Sequence, residues 1–290
     1  MPLKTSILGT LISLIIGITI TIGVSQNSID FYGMPLILVC FLYSYVIHWI
    51  FFIHGYLFQT EHYFDAIGSF TFVSLSLFLI FVVRDFYAFL ICSLVAIWSL
   101  RLGSFLFSRV KRTGRDTRFT EMKKNFFWFF LTWNLSALWV YLSYIAGMVA
   151  VTSKFASELS FSDYLFCIIG FLVWLSGFII EVVADNQKKR FKEDPSNNDK
   201  FISNGLWAWS RHPNYFGEIL LWIGIAIIAF PIFKNWDYLA LISPIFIYYL
   251  LAHVSGVPML EKAAEEKWGT NEDYISYKSK TNILFLKKPN

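Results

Sequence analysis

Charge is what this sequence has least of. Only 15% of its 290 residues are Asp, Glu, Lys or Arg, against about 25% in an ordinary soluble domain. So few charges cannot cover a water-facing surface, which excludes a soluble domain as the main body of the chain. Cysteine is scarce too. Cys40, Cys92 and Cys167 each sit in an apolar run, none with metal-ligand spacing and none in a polar loop where a disulfide would be useful. They read as packing residues, and no metal is expected. No G-x-G-x-x-G or Walker sequence occurs, so a bound nucleotide would not use a Rossmann domain. Internal repeats, low-complexity tracts and long linkers are also missing.

What is present is apolar: 56% hydrophobic and 20% aromatic residues, with a mean hydropathy of +0.55. A membrane-spanning helix needs about 20 mostly apolar residues. Eight stretches meet or approach this: Ser6–Val24, Met34–Phe58, Ala66–Val83, Phe86–Ser108, Phe126–Val149, Asp163–Val183, Tyr215–Phe230 and Tyr238–Ser255. The expected fold is an all-α polytopic membrane helix bundle of about eight spans. The seventh is short, which suggests a tilted, broken or partly interfacial helix. The first has only Lys4 ahead of it and no A-x-A pattern, so it reads as an uncleaved span rather than a secretion signal.

Lys and Arg set the orientation. With the N-terminus cytosolic, the cytosolic segments hold Lys4, seven basic residues between Arg109 and Lys124, six between Lys188 and Arg211 and six between Lys262 and Lys288. The opposite face holds Arg84, Lys154 and Lys234, and Arg101 lies within a span. An even number of spans preserves this alternation and puts both termini in the cytosol. The net charge of +4 follows from topology and calls for no nucleic-acid partner.

Ionisable groups near spans carry the functional signal. Glu181 and Asp185 share a helical face at the cytosolic end of the sixth span, with Lys188, Lys189 and Lys192 following. Two readings stand: a solvated helix end laced by i,i+4 pairs, or carboxylates for ribose and amide groups beside cations for phosphates. Further on, Pro213 suits the first turn of a helix that enters the membrane. Its free N–H groups lie beside Arg211 and His212, which favours anions. Asn214 and Glu218 share a face, with Glu218 inside the span, where a carboxylate needs a partner, a ligand or a proton. A purely structural cap, with Glu218 paired to Arg211, is the other reading.

The run Asn204-Gly205-Leu206-Trp207…Ser210-Arg211-His212-Pro213-Asn214-Tyr215-Phe216-Gly217-Glu218 resembles the C-terminal signature of the steroid 5α-reductase superfamily, in particular its DUF1295 branch. Glu181…Asp185…Gln187…Phe191 also resembles that branch, as do Trp98–Gly103 with Arg109, Gly114, Asp116 and Arg118, and Glu261, Trp268-Gly269, Tyr274 and Tyr277. The resemblance implies a helix bundle holding NADPH in a cytosol-facing cavity. It assigns Asp185, Lys192, Asn204, Arg211, His212, Asn214, Tyr215, Glu218 and Tyr274 to the cofactor. Arg101, about two turns from the cytosolic end of the fourth span, has two equal readings: it snorkels to the interface, or it binds a cofactor phosphate. It implies one integral membrane domain over 1–290, with the substrate pocket in 1–125 and the cofactor region in 126–290. The polar loop Gln59–Asp65 then supplies catalytic candidates, Glu61 with Gln59 and Tyr63, although a plain polar loop is an equal reading. The sequence departs from the animal steroid reductases near Gly256 and Leu260, where they carry Arg and His. His48, His54 and His253, alone in apolar spans, read as structural.

The expected activity is NADPH-dependent reduction of a C=C bond in a lipophilic enone or sterol-like small molecule, in the endoplasmic reticulum or a bacterial inner membrane. Two alternatives stay open. Isoprenylcysteine and phospholipid methyltransferases share a related R-H-P-x-Y-x-G run, which would bring S-adenosylmethionine instead. A lipid- or sterol-binding protein without turnover is the third.

Overall fold

A computed structural model describes residues 1–113, 119–156 and 160–288; within these, the side chains of 109–113 and 162 are not described. Gly114, Asp116 and Arg118 lie outside the described residues. The chain is a multi-pass membrane protein of all-α fold. Eight of its helical segments are long and apolar enough to cross a membrane. They comprise α1 (Leu3–Val24), α2 (Leu36–Leu57), α3 (Phe64–Val83), α4 (Phe86–Thr113), α5 (Phe126–Thr152), α6 (Phe161–Glu193), α7 (Pro213–Ala229) and a compound last segment. The only β-structure among the described residues beyond isolated bridges is a two-residue hairpin, Asp30–Phe31 against Met34–Pro35.

The irregular span is the eighth, not the seventh. α7 runs unbroken from Pro213 to Ala229. The eighth passes from a 3-10 stretch (Asn235–Leu241) through α8 (Ile242–Tyr249) and a π-helical stretch (Leu250–Val254) into α9 (Val257–Trp268). Pro258 in the first turn of α9 lacks the N–H that a continuous helix would use. α10 (Glu272–Lys280) follows.

The chain forms two compact units. The first holds Met1–Tyr164 with Ala229–Ser243, the second Leu165–Ile228 with Pro244–Asn290. α5 belongs with the N-terminal helices in the first of these units. It is the central post of the first unit: from Leu138 to Val151 only Trp139 is not fully buried. Several of its polar side chains find partners inside the unit, as bilayers favour. Tyr141 meets Thr21 at 2.7 Å and Tyr144 meets Ser76 at 3.1 Å.

Alternating spans gather alternate loops. At one end Ser28 pairs with Ser153, Lys154 N donates to Asn27 O (3.0 Å), and Asn27 Nδ2 donates to Lys234 O (3.1 Å) and Asp237 Oδ2 (3.0 Å). Lys154 and Lys234 thus lie together. The other end of the same unit joins the α2–α3 and α4–α5 loops, where Lys123 Nζ reaches Glu61 Oε2 at 2.6 Å.

Candidate functional site

The second unit is built on a close helix pair. Gly170 and Gly177 of α6 face Gly224 and Gly217 of α7, both pairs seven residues apart. A Cβ on Gly217 would stand 2.6 Å from Gly177 O and 2.7 Å from Glu181 N. Small residues permit this approach, as is common between membrane helices. The consequence is that three carboxylates are buried at this pair: Glu181, Asp185 and Glu218 are 2%, 5% and 8% exposed, and each has a polar or charged partner.

The start of α7 is anchored from three sides. Arg211 N donates to Asn282 O (2.8 Å), Ser210 Oγ to Leu284 O (2.7 Å), and His212 N to Ser210 Oγ (3.1 Å). The preceding turn needs Gly205 at φ +61°. It brings Leu206 N onto Gln187 Oε1 (3.0 Å) and Trp207 Nε1 onto Ala184 O (3.0 Å).

Glu261 of α9 then grips both signature residues. Its Oε1 lies 2.8 Å from His212 Nε2 and its Oε2 lies 3.1 Å from Arg211 Nη1. The second contact is an ion pair without hydrogen-bond alignment. Arg211 Nε, His212 Nδ1 and Asn214 Oδ1 are buried with no partner among the described residues. His212 stacks on Tyr215, ring centres 5.7 Å apart. Burial holds His212 below the ordinary histidine pKa, against the opposing pull of Glu261.

These groups border a cavity of about 310 Å³. Lys188, Lys192, Lys200, Arg211 and Lys267 line it, with an aromatic wall of Phe201, Trp207, Trp268, Tyr274 and Tyr277. Glu261 is the one carboxylate in that lining. Tyr277 OH donates to Trp207 O (2.6 Å), and burial raises its pKa. Trp268 Nε1 donates to Asp199 O (2.6 Å). Lys188 Nζ sits 4.4 Å over the Trp207 ring.

The sequence profile of a family described as a protein of unknown function, DUF1295, matches residues 51–281. The chain belongs to the DUF1295 family. This DUF1295 chain is also 30% identical over 101 residues to a probable O-methyltransferase, ustE, of Ustilaginoidea virens, covering 32% of this chain and 35% of that protein. It is 31% identical over 65 residues to human 3-oxo-5-alpha-steroid 4-dehydrogenase 1, covering 22% and 25%. The mouse protein of that name is 29% identical over 63 residues, covering 22% and 25%. These matches span about a third or less of each relative's length. No solved structure matches.

Of the residues expected at the cofactor of this DUF1295 protein, Lys192, Arg211, His212 and Tyr274 line the cavity. Asn214 and Tyr215, in the first turn of α7, are outside that lining. Asp185 and Glu218 are buried but outside the lining, and Asn204 is exposed at the Gly205 turn. Arg101 lies in the first unit, its guanidinium 5.5 Å over the Phe105 ring. The expected Arg211–Glu218 pair gives way to Arg211–Glu261. Among the catalytic candidates, Glu61 is buried against Lys123. Gln59 is exposed at φ +50°, with Nε2 donating to Tyr56 O (2.8 Å), and Tyr63 is half exposed at the start of α3. Sequence reasoning missed Phe201, Lys200 and Lys267. Their only signal was the aromatic and basic richness of the polar segments.

Proposed function

We propose that this chain is a membrane reductase that uses NADPH to reduce a C=C bond in a lipophilic enone or sterol-like molecule. One observation carries the reading: five cationic side chains and six aromatic ones, Phe191 included, line a single cavity whose one carboxylate is already engaged by Arg211 and His212. That lining suits a polyanion bearing aromatic rings. S-adenosylmethionine brings a sulfonium and an ammonium, which clustered cations repel. The buried, unpartnered Arg211 Nε and Asn214 Oδ1 likewise fit a ligand with acceptors and donors to offer.

Lys188, Lys192, Lys200, Lys267 and Arg211 would hold phosphates, and Trp207, Phe201 and Trp268 would flank a ring. When bound, NADPH supplies the reducing equivalent from nicotinamide C4. Glu261 keeps Arg211 aimed and fixes the orientation of His212. In the first unit Lys123 Nζ donates to Glu61 Oε2 (2.6 Å).

The test is isotopic. With deuterium at C4 of NADPH and a panel of enones and unsaturated sterols, deuterium should appear in the product. The fungal relative favours a second reading, S-adenosylmethionine-dependent methylation of a lipophilic substrate. In that case a methyl group and no deuterium would be transferred. In the cell, we place the chain in the endoplasmic reticulum or a bacterial inner membrane, both termini cytosolic.

A further inference from the structure

Two segments of the first unit border an open cleft of about 480 Å³. The β-hairpin ahead of α2 lends it Asp30, Phe31 and Tyr32, and the end of α3 lends it Phe81, Val82 and Arg84. The cleft is lined by one carboxylate and one guanidinium. They pair neither with each other nor with another charged side chain among the described residues. Asp30 Oδ1 accepts from Gly33 N (2.9 Å), which leaves Oδ2 open. Arg84 Nε donates to Phe81 O (2.8 Å), and the guanidinium lies 4.8 Å over the Phe81 ring. Its two terminal nitrogens, with four N–H donors, have no protein partner among the described residues. Opposite charges that border one cleft without meeting match a ligand carrying both, its ammonium toward Asp30 and its phosphate toward Arg84.

We infer that this cleft binds the phosphoethanolamine headgroup of a membrane phospholipid. An ammonium with hydrogens donates to Asp30 Oδ2, which the quaternary ammonium of choline cannot do. A guanidinium takes phosphate oxygens in pairs. The surroundings point to a lipid. Tyr32 is 92% exposed at the tip of the hairpin, at φ +52°, beside Gly33 at φ +83°. Turns with two positive φ angles favour Asn and Gly, so a tyrosine costs stability there. Its ring meets that of Phe31 edge-on at 4.8 Å and otherwise faces outward. Exposed tyrosines of this kind mark the headgroup level of a bilayer. From the cleft, α3 presents Phe81, Leu77 and Phe70 outward, all exposed. Their spacing puts them in one lane along the helix. Ser74 does not interrupt its apolar character, because its hydroxyl donates to Phe70 O (2.6 Å). An acyl chain fits that lane, whereas a water-soluble phosphoamine gains nothing from it. The site is separate from the proposed reductase chemistry, and neither depends on the other.

The experiment uses the purified full chain in a non-ionic detergent. Dioleoyl phosphatidylethanolamine, phosphatidylcholine and phosphatidylglycerol are titrated in turn, with bound lipid counted by native mass spectrometry. Phosphatidylethanolamine should bind about tenfold more tightly than either of the others, one charge-assisted hydrogen bond's worth. Asp30→Asn, which still accepts from Gly33 N, should erase the preference over phosphatidylcholine. Arg84→Gln should weaken phosphatidylethanolamine by about tenfold. Free phosphoethanolamine at the lipid's own concentration should not displace it. Phosphatidylcholine or phosphatidylglycerol bound as tightly as phosphatidylethanolamine overturns the inference, and that comparison needs no variant to fold. A preference that survives Asp30→Asn overturns it too, as does displacement by free phosphoethanolamine, which would make the ligand a soluble one.

Discussion

At Arg211 the side chain is 11% exposed and its charge is met by Glu261 alone among the described carboxylates. A second anion at this position gains a charge-assisted contact, typically about 1.5–3 kcal/mol. Arg211→Ala should therefore weaken NADPH binding by about ten- to a hundredfold, while Lys262→Ala, a change at a lysine 80% exposed, should leave it nearly unchanged. Isothermal titration distinguishes them, and equal losses would count against this cavity as the site. His212 adds a pH dependence. Its folded pKa lies below the ordinary 6.5 because burial disfavours the charged ring. The unfolded chain thus binds the proton more readily, so His212 favours folding above about pH 6.5, and this is lost as pH falls through the lower folded value. Melting temperature should drop from pH 7.5 to 5.5, and His212→Asn should flatten that drop. An unchanged slope would show that His212 is not the group responsible.

At the scale of helices, α6 and α7 depend on the absence of side chains. An alanine at Gly217 would put its Cβ against backbone atoms that cannot swing aside. Overpacking of this kind costs about 1–3 kcal/mol. Gly217→Ala should lower the melting temperature of the detergent-solubilised protein, whereas Gly9→Ala, facing only the movable tip of Leu131 at 3.1 Å, should hold or gain slightly from helix propensity. If both are neutral, the close helix pair is not what holds the second unit together. The spans themselves were readable in advance, since runs such as Leu36–Leu57 and Phe64–Val83 are predominantly apolar. The course of the eighth span was legible only in part: Gly256 and Pro258 mark the break before α9, but nothing in the composition of Leu250–Val254 marks its π-helical form. The Glu61–Lys123 and His212–Glu261 pairs were equally hidden, their partners being 62 and 49 residues apart. Signature residues 211 to 215 were legible as a group, but which of them face the cavity was decided by the helix register and by α9.

For the whole molecule, topology is the first testable consequence. Lys154 and Lys234 meet at one end of the first unit through Asn27, and the proposed orientation, with both termini cytosolic, turns that end away from the cytosol. Single cysteines at Lys154 and Lys234, in a chain lacking its three native ones, should react with impermeant maleimide only from the non-cytosolic side. Labelling of either from the cytosol would reverse or break the eight-span arrangement.

The basic, aromatic cavity of the second unit is proposed to take an anionic dinucleotide. Equilibrium binding of NADPH and of S-adenosylmethionine to the purified full chain, at low and high salt, decides this. NADPH should bind saturably and more weakly as salt rises, with little binding of S-adenosylmethionine. Tight S-adenosylmethionine binding with no detectable NADPH binding would overturn the proposal.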